Sequence, residues 1–525
     1  MPSRSMARAA VAVASFYVLS NVAGFVARLL INARFGTGAD QDAFRAAFVI
    51  PDLLFNLLAG GALASAFIPV YVSRLGSGEP AIAWRLARAV ALIVFAGLAG
   101  LAAIAALLAA PLIQHLVARQ FDPAQVALTA SLMRVMLIAT VIFGLSGLLM
   151  GMLQSNNAFL APAIAPSLYQ FGMILGATVL GGFDIHGLAI GVVIGAFFHL
   201  AVQLPWLRKV LRAAYSVESG RTMRDAQHMI RTDLRQILTL MPPRVLGLGA
   251  VQVNNLVNTT LASGLLGGVS AFNNAFAIMI LPIAAIGQAI GTVLFPSISA
   301  HAARGEGEQF AASFTRALNV VIALSLPAAT GLIVLGQPLI RLLFERGAFD
   351  ARATEWVAFA LAWLSVGLPA HAALELVTRA FYALKDSLRP ALLAVLSVAV
   401  NIALSVVLYR AFAALGWLPF GGLGLANAIA TILETGALYG LLVRRERRIR
   451  LRASLVALGK GGLAALAMGV ALWGWLAVAG HGAPATVAAP LIGAVVYFGA
   501  ALLLRSNEAL SALDVVKRRL ATRTY

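Results

Sequence analysis

The sequence has no cysteine, which excludes disulfides, thiolate metal sites and cysteine nucleophiles. Charge is scarce as well: 11% of the 525 residues are Asp, Glu, Lys or Arg, where a soluble globular chain carries about a quarter. That scarcity, set against 61% hydrophobic residues, excludes an ordinary soluble enzyme and a disordered chain. The seven histidines include no pair four residues apart, so a zincin helix is excluded. Neither a phosphate-binding GxxxxGK loop nor a GxSxG elbow occurs. The chain reads as not an enzyme, with no cofactor. Acidic residues are the rarest charge, 20 against 39 Lys and Arg, for a net +19.

What is present is long apolar runs. A membrane-spanning helix takes about 20 apolar residues, and fourteen candidate spans fit between residues 10 and 504. The second (42–72) and tenth (355–382) are long and hold Pro51 and Pro369, which predicts kinks or breaks. The N-terminus mimics a signal peptide, but Arg28 and the lack of a small-residue cleavage site point to a retained first helix. With the N-terminus cytoplasmic, 27 of the 39 cations fall on the cytoplasmic side and six on the other. This positive-inside bias places both termini in the cytoplasm. The +19 is thereby explained by topology, and no folded basic module argues for a nucleic-acid partner. The six arginines of 444–452 are expected to anchor the twelfth span at anionic membrane lipid.

A repeat runs through the spans. Ala43-Phe44-Arg45-Ala46-Ala47-Phe48 recurs as Ala271-Phe272-Asn273-Asn274-Ala275-Phe276, an offset of 228. Pro162 and Pro390 share that offset, and Gly78-Glu79 and Gly305-Glu306 stand 227 apart. One period holds six spans, so the halves insert in the same direction. The expected fold is an all-α integral membrane protein: an N-lobe over 1–210, a basic cytoplasmic linker over 211–237, a C-lobe over 238–445, then helices 13 and 14 and a tail over 446–525.

Ionisable groups at membrane depth are costly and mark pathways. Asp52 and Glu434 lie near the middle of their spans; Arg244, Glu375 and Arg379 lie nearer the cytoplasmic side; Arg28 and Arg45 lie nearer the outer side. The plainer readings stand beside these. Arg28 and Arg45 can snorkel outward, and Glu375 and Arg379, at i and i+4, can simply pair. Asp52 is too short to snorkel. Gly187, Gly191 and Gly195, and again Gly436 and Gly440, have the spacing of close helix packing. The loops 154–157 and 385–389 read as equivalent turns.

The chain resembles the MurJ/MviN lipid II flippases of the multidrug/oligosaccharidyl-lipid/polysaccharide exporter superfamily. The resemblance rests on Asp42-Ala43-Phe44, the run Gly60 to Pro69, Gly151-Met152-Leu153-Gln154 with Ala161 to Pro166, and Gln203-Leu204-Pro205. It continues in Pro243-Arg244-Val245-Leu246-Gly247, Leu343 to Phe349 and Arg379 to Asp386. It implies two six-helix lobes around a cavity and extra helices forming a groove for a polyprenyl tail. The implied function is transfer of an undecaprenyl-pyrophosphate-linked peptidoglycan precursor between leaflets of the bacterial inner membrane, by alternating access. The candidate substrate contacts in this chain are Arg28, Arg45, Asp52, Asn56, Arg244, Glu375 and Arg379.

Well-studied members carry arginines in the first, second and eighth helices, where this chain aligns Asn21 and Ala27, Phe55 and Asn56, and Ala277. Either the cations have moved or the substrate is a different lipid-linked sugar. Some relatives bind sodium between the seventh and eleventh helices; Asn254, Asn258 and Asn401 stand there without the family's carboxylate. Coupling to Na+ or to the membrane potential is thus open. The alternative functions are an exporter of another lipid-linked oligosaccharide or a drug, and a non-transporting cell-wall scaffold.

Overall fold

The computed structural model of the chain describes residues 4–59, 61–215 and 223–510. Among them every regular element is a helix, and one isolated bridge, Arg346 with Phe349, closes a tight turn. The chain forms two compact units. One holds the residues up to Val269 together with Arg346–Phe349; the other holds Ser270–Glu345 and the chain from Asp350 onward.

The first unit contains, in order, α1 (Arg4–Phe35), α2 (Ala39–Ala47), α3 (Val49–Leu58), α4 (Gly61–Gly76), α5 (Pro80–Leu107) and the short α6 (Ala109–Leu112). Then follow α7 (Pro123–Ser155), α8 (Leu160–Thr178), α9 (Asp184–Ala201), α10 (Leu204–Tyr215) and α11 (Met223–Ala262). The expected second span is three helices, interrupted at Phe48 and at Ala59. Pro51 sits in the first turn of α3, where its missing N–H has no helical partner to lose.

Helices α8 and α9 lie against each other through bare backbone. A Cβ on Gly172 would run into Gly191 and Gly195, and one on Gly176 into Gly187, Leu188 and Gly191. Glycine permits that approach because nothing projects from its Cα. The Gly187/Gly191/Gly195 stripe is therefore a packing surface. Gly436 and Gly440 are not: a Cβ at either meets no atom within 4 Å. Spacing alone misled there, since small residues also occur where a helix has no close neighbour. Arg34, in the last turn of α1, donates to the carbonyls of Ala177 (3.3 Å) and Gly181 (2.5 Å). It thereby satisfies one carbonyl at the end of α8 and one in the turn that follows it, where intrahelical partners run out.

The seventh expected span, 238–262, is the latter part of α11, which begins fifteen residues earlier, at Met223. Ile230, Leu234 and Ile237 present one apolar face to the core built on Phe67, Tyr71, Leu86 and Leu98. From the same segment Asp233 accepts two hydrogen bonds from Arg74, at 2.7 and 2.8 Å.

The second unit contains α12 (Gly268–Ile283), α13 (Ala289–Ala303), α14 (Gly307–Phe344), α15 (Ala351–Ser365), α16 (Leu368–Ala383), α17 (Leu388–Ala414), α18 (Phe420–Arg445), α19 (Leu451–Ala479) and α20 (Ala483–Leu503). A π turn over Ala284–Gln288 joins the first two. Helices α15 and α16 meet at a 46° bend, with Pro369 in the first turn of α16, so the break expected near that proline is present.

Among the described residues ten stretches are long and apolar enough to cross a membrane, or eleven if the bent α15–α16 pair is one span. These take residues 160–212 as a single stretch and include neither α2–α4 nor α11. The figure of fourteen is thus not established by length and composition.

The sequence repeat reappears as geometry within each unit. Asp122 caps α7 by accepting from the Gln125 amide (2.8 Å), and Asp350, 228 residues on, caps α15 through Ala353 (2.7 Å). Asn157 and Lys385, at the same offset, both take left-handed backbone, φ 58° and 59°. Gly78 and Gly305 do the same, at 72° and 71°. They end their helices alike, with Glu79 N–H reaching Arg74 O (3.1 Å) and Glu306 N–H reaching His301 O (2.9 Å), the 6→1 bond of a glycine-terminated helix.

Candidate functional site

In the first unit the membrane-depth charges gather rather than scatter. Arg45 on α2 lies within Coulombic range of Arg28 on α1 and of Tyr169 on α8, and Tyr169 lies within range of Asp52 on α3. The structure thus brings Arg28, Arg45 and Asp52 into one cluster around a tyrosine that the sequence reading passed over. Arg45 is partly buried, and its Nε has no hydrogen-bond partner, so its guanidinium is not consumed by the fold. Asp52 is exposed on the surface of its unit. Asn56 turns back on its own helix, donating to Asp52 O at 2.8 Å. Ala27 is packed away at 2% exposure, so this position faces the helix packing while Arg28 faces the cluster. Arg244 falls on α11, and its side chain lies outside the described residues.

The second unit holds a cavity of about 600 Å³ beside α16, lined by His371, Glu375, Thr378, Arg379 and Tyr382 with Ile283 and Phe295 opposite. Glu375 and Arg379 are both there and pair with each other at 3.6 Å. Arg379 also donates to Thr292 Oγ1 at 3.1 Å. Gly291 makes room for this: a Cβ there would stand 3.0 Å from the guanidinium. A cation, an anion and hydroxyl groups around one open hollow can orient a head group bearing both phosphate and amide functions.

His371 and its surroundings were missed in the sequence. His371 Nε2 is 2.9 Å from Asn427 Oδ1 and 3.2 Å from Thr431 Oγ1. Subtracting the repeat offset of 228 gives Phe143, His199 and Gln203. In the first unit these also meet: the Phe143 and His199 rings are 5.4 Å apart, and Gln203 donates to the His199 carbonyl at 2.9 Å and to Ser146 Oγ at 2.7 Å. The same three positions thus form an aromatic hub in one unit, where Phe143 also meets Phe55 and Tyr169, and a polar hub in the other, of which His371 lines the cavity. The offset applied to the polar residues inside apolar runs would have found it.

Asn254 and Asn258 lie on α11, in the first unit, and Asn401 on α17, in the second. Asn254 Oδ1 is buried without a partner, while Asn401 Oδ1 already accepts from Ser405 at 3.2 Å. Neutral amides alone do not fit a tightly held cation, which favours charged oxygens. No cluster of three or more His, Asp or Glu occurs among the described residues.

Comparison with known proteins adds an independent line. The family model described as lipid II flippase MurJ matches residues 31–491. A probable lipid II flippase MurJ of Rhizobium meliloti (strain 1021) is 31% identical over 480 residues, 90% of this chain and 86% of the relative. A lipid II flippase MurJ of Burkholderia cenocepacia is 30% identical over 74% of this chain and 75% of its own length. Among solved structures, one of a lipid II flippase MurJ in an inward closed conformation matches with a TM-score of 0.74 at 20% identity, covering 96% of this chain and all of the other. An inward-facing multidrug resistance transporter of the MATE family matches at 0.67 and 15% identity, over 84% of this chain and 98% of its own; at such identities the likeness is one of fold.

Proposed function

Since the chain belongs to the lipid II flippase MurJ family, we propose that it carries lipid II across the bacterial inner membrane. In this reading an undecaprenyl-pyrophosphate-linked peptidoglycan precursor moves from inner to outer leaflet by alternating access, with both termini in the cytoplasm. The family match over residues 31–491 carries the reading.

The physical problem such a protein solves is that a pyrophosphate and peptide carboxylates cannot pass through hydrocarbon unaided. Guanidinium groups suit phosphate because their planar fork donates two parallel hydrogen bonds. Arg28 and Arg45, tempered by Asp52, supply that chemistry in one unit. Arg379, with Glu375 and His371, supplies it in the other, and Arg244 is assigned to the same task. Asn56 is a weaker candidate because its amide is engaged by its own helix. Coupling to the membrane potential is favoured over Na+, given the neutral donor set at Asn254, Asn258 and Asn401.

The test is rescue of a bacterium depleted of its own lipid II flippase. Expression of this chain restores growth, and charge reversal at Arg28 or Arg45 abolishes it at unchanged membrane abundance. Failure of the wild-type chain to rescue, despite good expression, removes lipid II as substrate. A second reading, export of another lipid-linked oligosaccharide, is favoured by one observation: the family's arginine positions are here Asn21, Ala27, Phe55, Asn56 and Ala277. Rescue of a strain lacking a different lipid-linked sugar exporter would select it.

A further inference from the structure

The hollow beside α16 is electrically balanced, unlike the cluster of the first unit. There Arg28 and Arg45 outnumber Asp52, whereas Glu375 and Arg379 cancel. A polyanion gains little net attraction from such a pair. Its polar groups run instead along one face of α16. His371, Glu375 and Arg379 follow at i, i+4 and i+8 in the cavity wall, about 6 Å apart along the axis at each step.

The two acceptors in this row are uncommitted. Glu375 and Arg379 stand 3.6 Å apart, too far for a hydrogen bond, and among the described residues no donor reaches the carboxylate. The His371 ring is set by α18. Asn427 Oδ1 can only accept, so the 2.9 Å bond to it fixes the proton on Nε2, with Thr431 Oγ1 at 3.2 Å from the same nitrogen. Nδ1 of the neutral ring keeps its lone pair. It has no partner among the described residues and is not enclosed, so it opens on the hollow that His371 lines. Thr292 takes one N–H of Arg379, at 3.1 Å, out of the five that a guanidinium offers. Phe295 and Tyr382, exposed at 37% and 48%, stand in the same wall, and aromatic faces attract ammonium groups.

Two acceptors, one of them anionic, beside one guanidinium are the complement of a group bearing both an ammonium and a carboxylate. We propose that this hollow holds a zwitterionic amino-acid end of the cargo's peptide, its ammonium on the Glu375 carboxylate and His371 Nδ1 and its carboxylate on Arg379. Glu375 and Arg379 then exchange each other for the two charges of the ligand. No charge is left unpaired at membrane depth by that exchange, where an orphan would be costly. The inference rests on the flippase reading and narrows it: Arg379 meets a carboxylate in particular, His371 sets specificity, and Asn427 is the positioning residue that aims its ring.

The test uses the purified full-length protein and its thermal midpoint, since a ligand that binds only the folded state raises it. The probe is lipid II carrying meso-diaminopimelate, whose side chain ends in an ammonium and a carboxylate on one carbon. Two modified forms accompany it, one with that amine acetylated and one with that carboxylate amidated. On the wild-type protein either modification raises the half-effective concentration at least about tenfold, the loss of one charge-assisted hydrogen bond. In Glu375→Gln acetylation no longer matters and amidation still does; in Arg379→Gln the reverse holds. His371→Phe shrinks the acetylation effect and keeps the amidation effect. Each comparison is made between ligands on one protein, so partial misfolding cannot imitate the pattern. Equal action of all three forms on the wild type overturns the inference alone, because lipid II is then still bound. No action by any of them overturns the flippase reading with it. Variants that weaken all three forms alike would make the pair a support of the cavity wall and overturn the inference too.

Discussion

Arg379 shows how one residue can be both paired and available. Its guanidinium meets Glu375 at 3.6 Å and Thr292 at 3.1 Å, and both members of the ion pair are partly exposed, 25% and 37% for the side chains. An i,i+4 pair of that kind is worth about 0.3–0.5 kcal/mol, too little to hold a helix by itself. The two variants are expected to differ in degree. Arg379→Gln loses rescue of a flippase-depleted strain, Glu375→Gln weakens it, and neither lowers stability by more than about 1 kcal/mol. Equal loss of rescue in both, with equal loss of thermal stability, would reduce the pair to scaffolding. At this scale the sequence was partly legible. Charges within apolar runs stand out, so Arg28, Arg45, Asp52, Glu375 and Arg379 could be named as candidates. Tyr169 and His371 were not, because a tyrosine or an isolated histidine in an apolar helix is ordinary core until its neighbours are known.

Among the helices, small residues and caps decide the packing. Gly191 faces the backbone of α8 with no space for a side chain, whereas Gly436 faces nothing. Gly191→Val should cost about 1–3 kcal/mol or more through overpacking, and Gly436→Val should change the melting midpoint little; detergent-solubilised thermal unfolding of the pair checks this. At the α13–α14 turn, hydrogen bonds from Arg304 first, then His301, hold the Glu306 carboxyl down at about 2, below the usual 4.5. A carboxyl with a depressed folded pKa stabilises above its unfolded pKa and loses that contribution as pH falls through the folded one. Glu306→Gln is thus expected to speed amide exchange across 304–308 at pH 7, with wild type and variant converging as pH approaches 2. Persistence of the difference below that pH would mean the carboxylate is not the cause. The start of α11 was illegible because Arg224, Asp225, Arg231, Asp233 and Arg235 read as a solvated linker. Yet Ile230, Leu234 and Ile237 keep helical spacing, and period rather than charge was the better guide.

At the scale of the whole molecule, duplication was legible because it is written in turns and caps as well as in apolar runs. Asp122 and Asp350, Asn157 and Lys385, and Gly78 and Gly305 hold equivalent places. What the repeat did not disclose is where the two units divide the chain. Arg346–Phe349 belongs with the first unit although its flanks belong with the second. Its Ala348 amide donates to Ala33 O at 2.7 Å. Gly36 and Gly347 both adopt positive φ, 59° and 60°; a Cβ on Gly36 would strike the Ala348 carbonyl, and one on Gly347 the Ala33 carbonyl. Gly36→Ala should destabilise by at least about 1 kcal/mol through left-handed backbone alone, more with the collision, and a melting midpoint unchanged by the substitution would show that this contact does not hold. The arrangement also has a consequence for synthesis. The ribosome finishes Val269 roughly 80 residues before Phe349, about 4–16 s at ordinary elongation rates. For that interval the end of α1 waits in the bilayer with the Ala33 carbonyl lacking its Ala348 donor, and the first unit, though earliest to be made, is closed by a piece that arrives from the middle of the second.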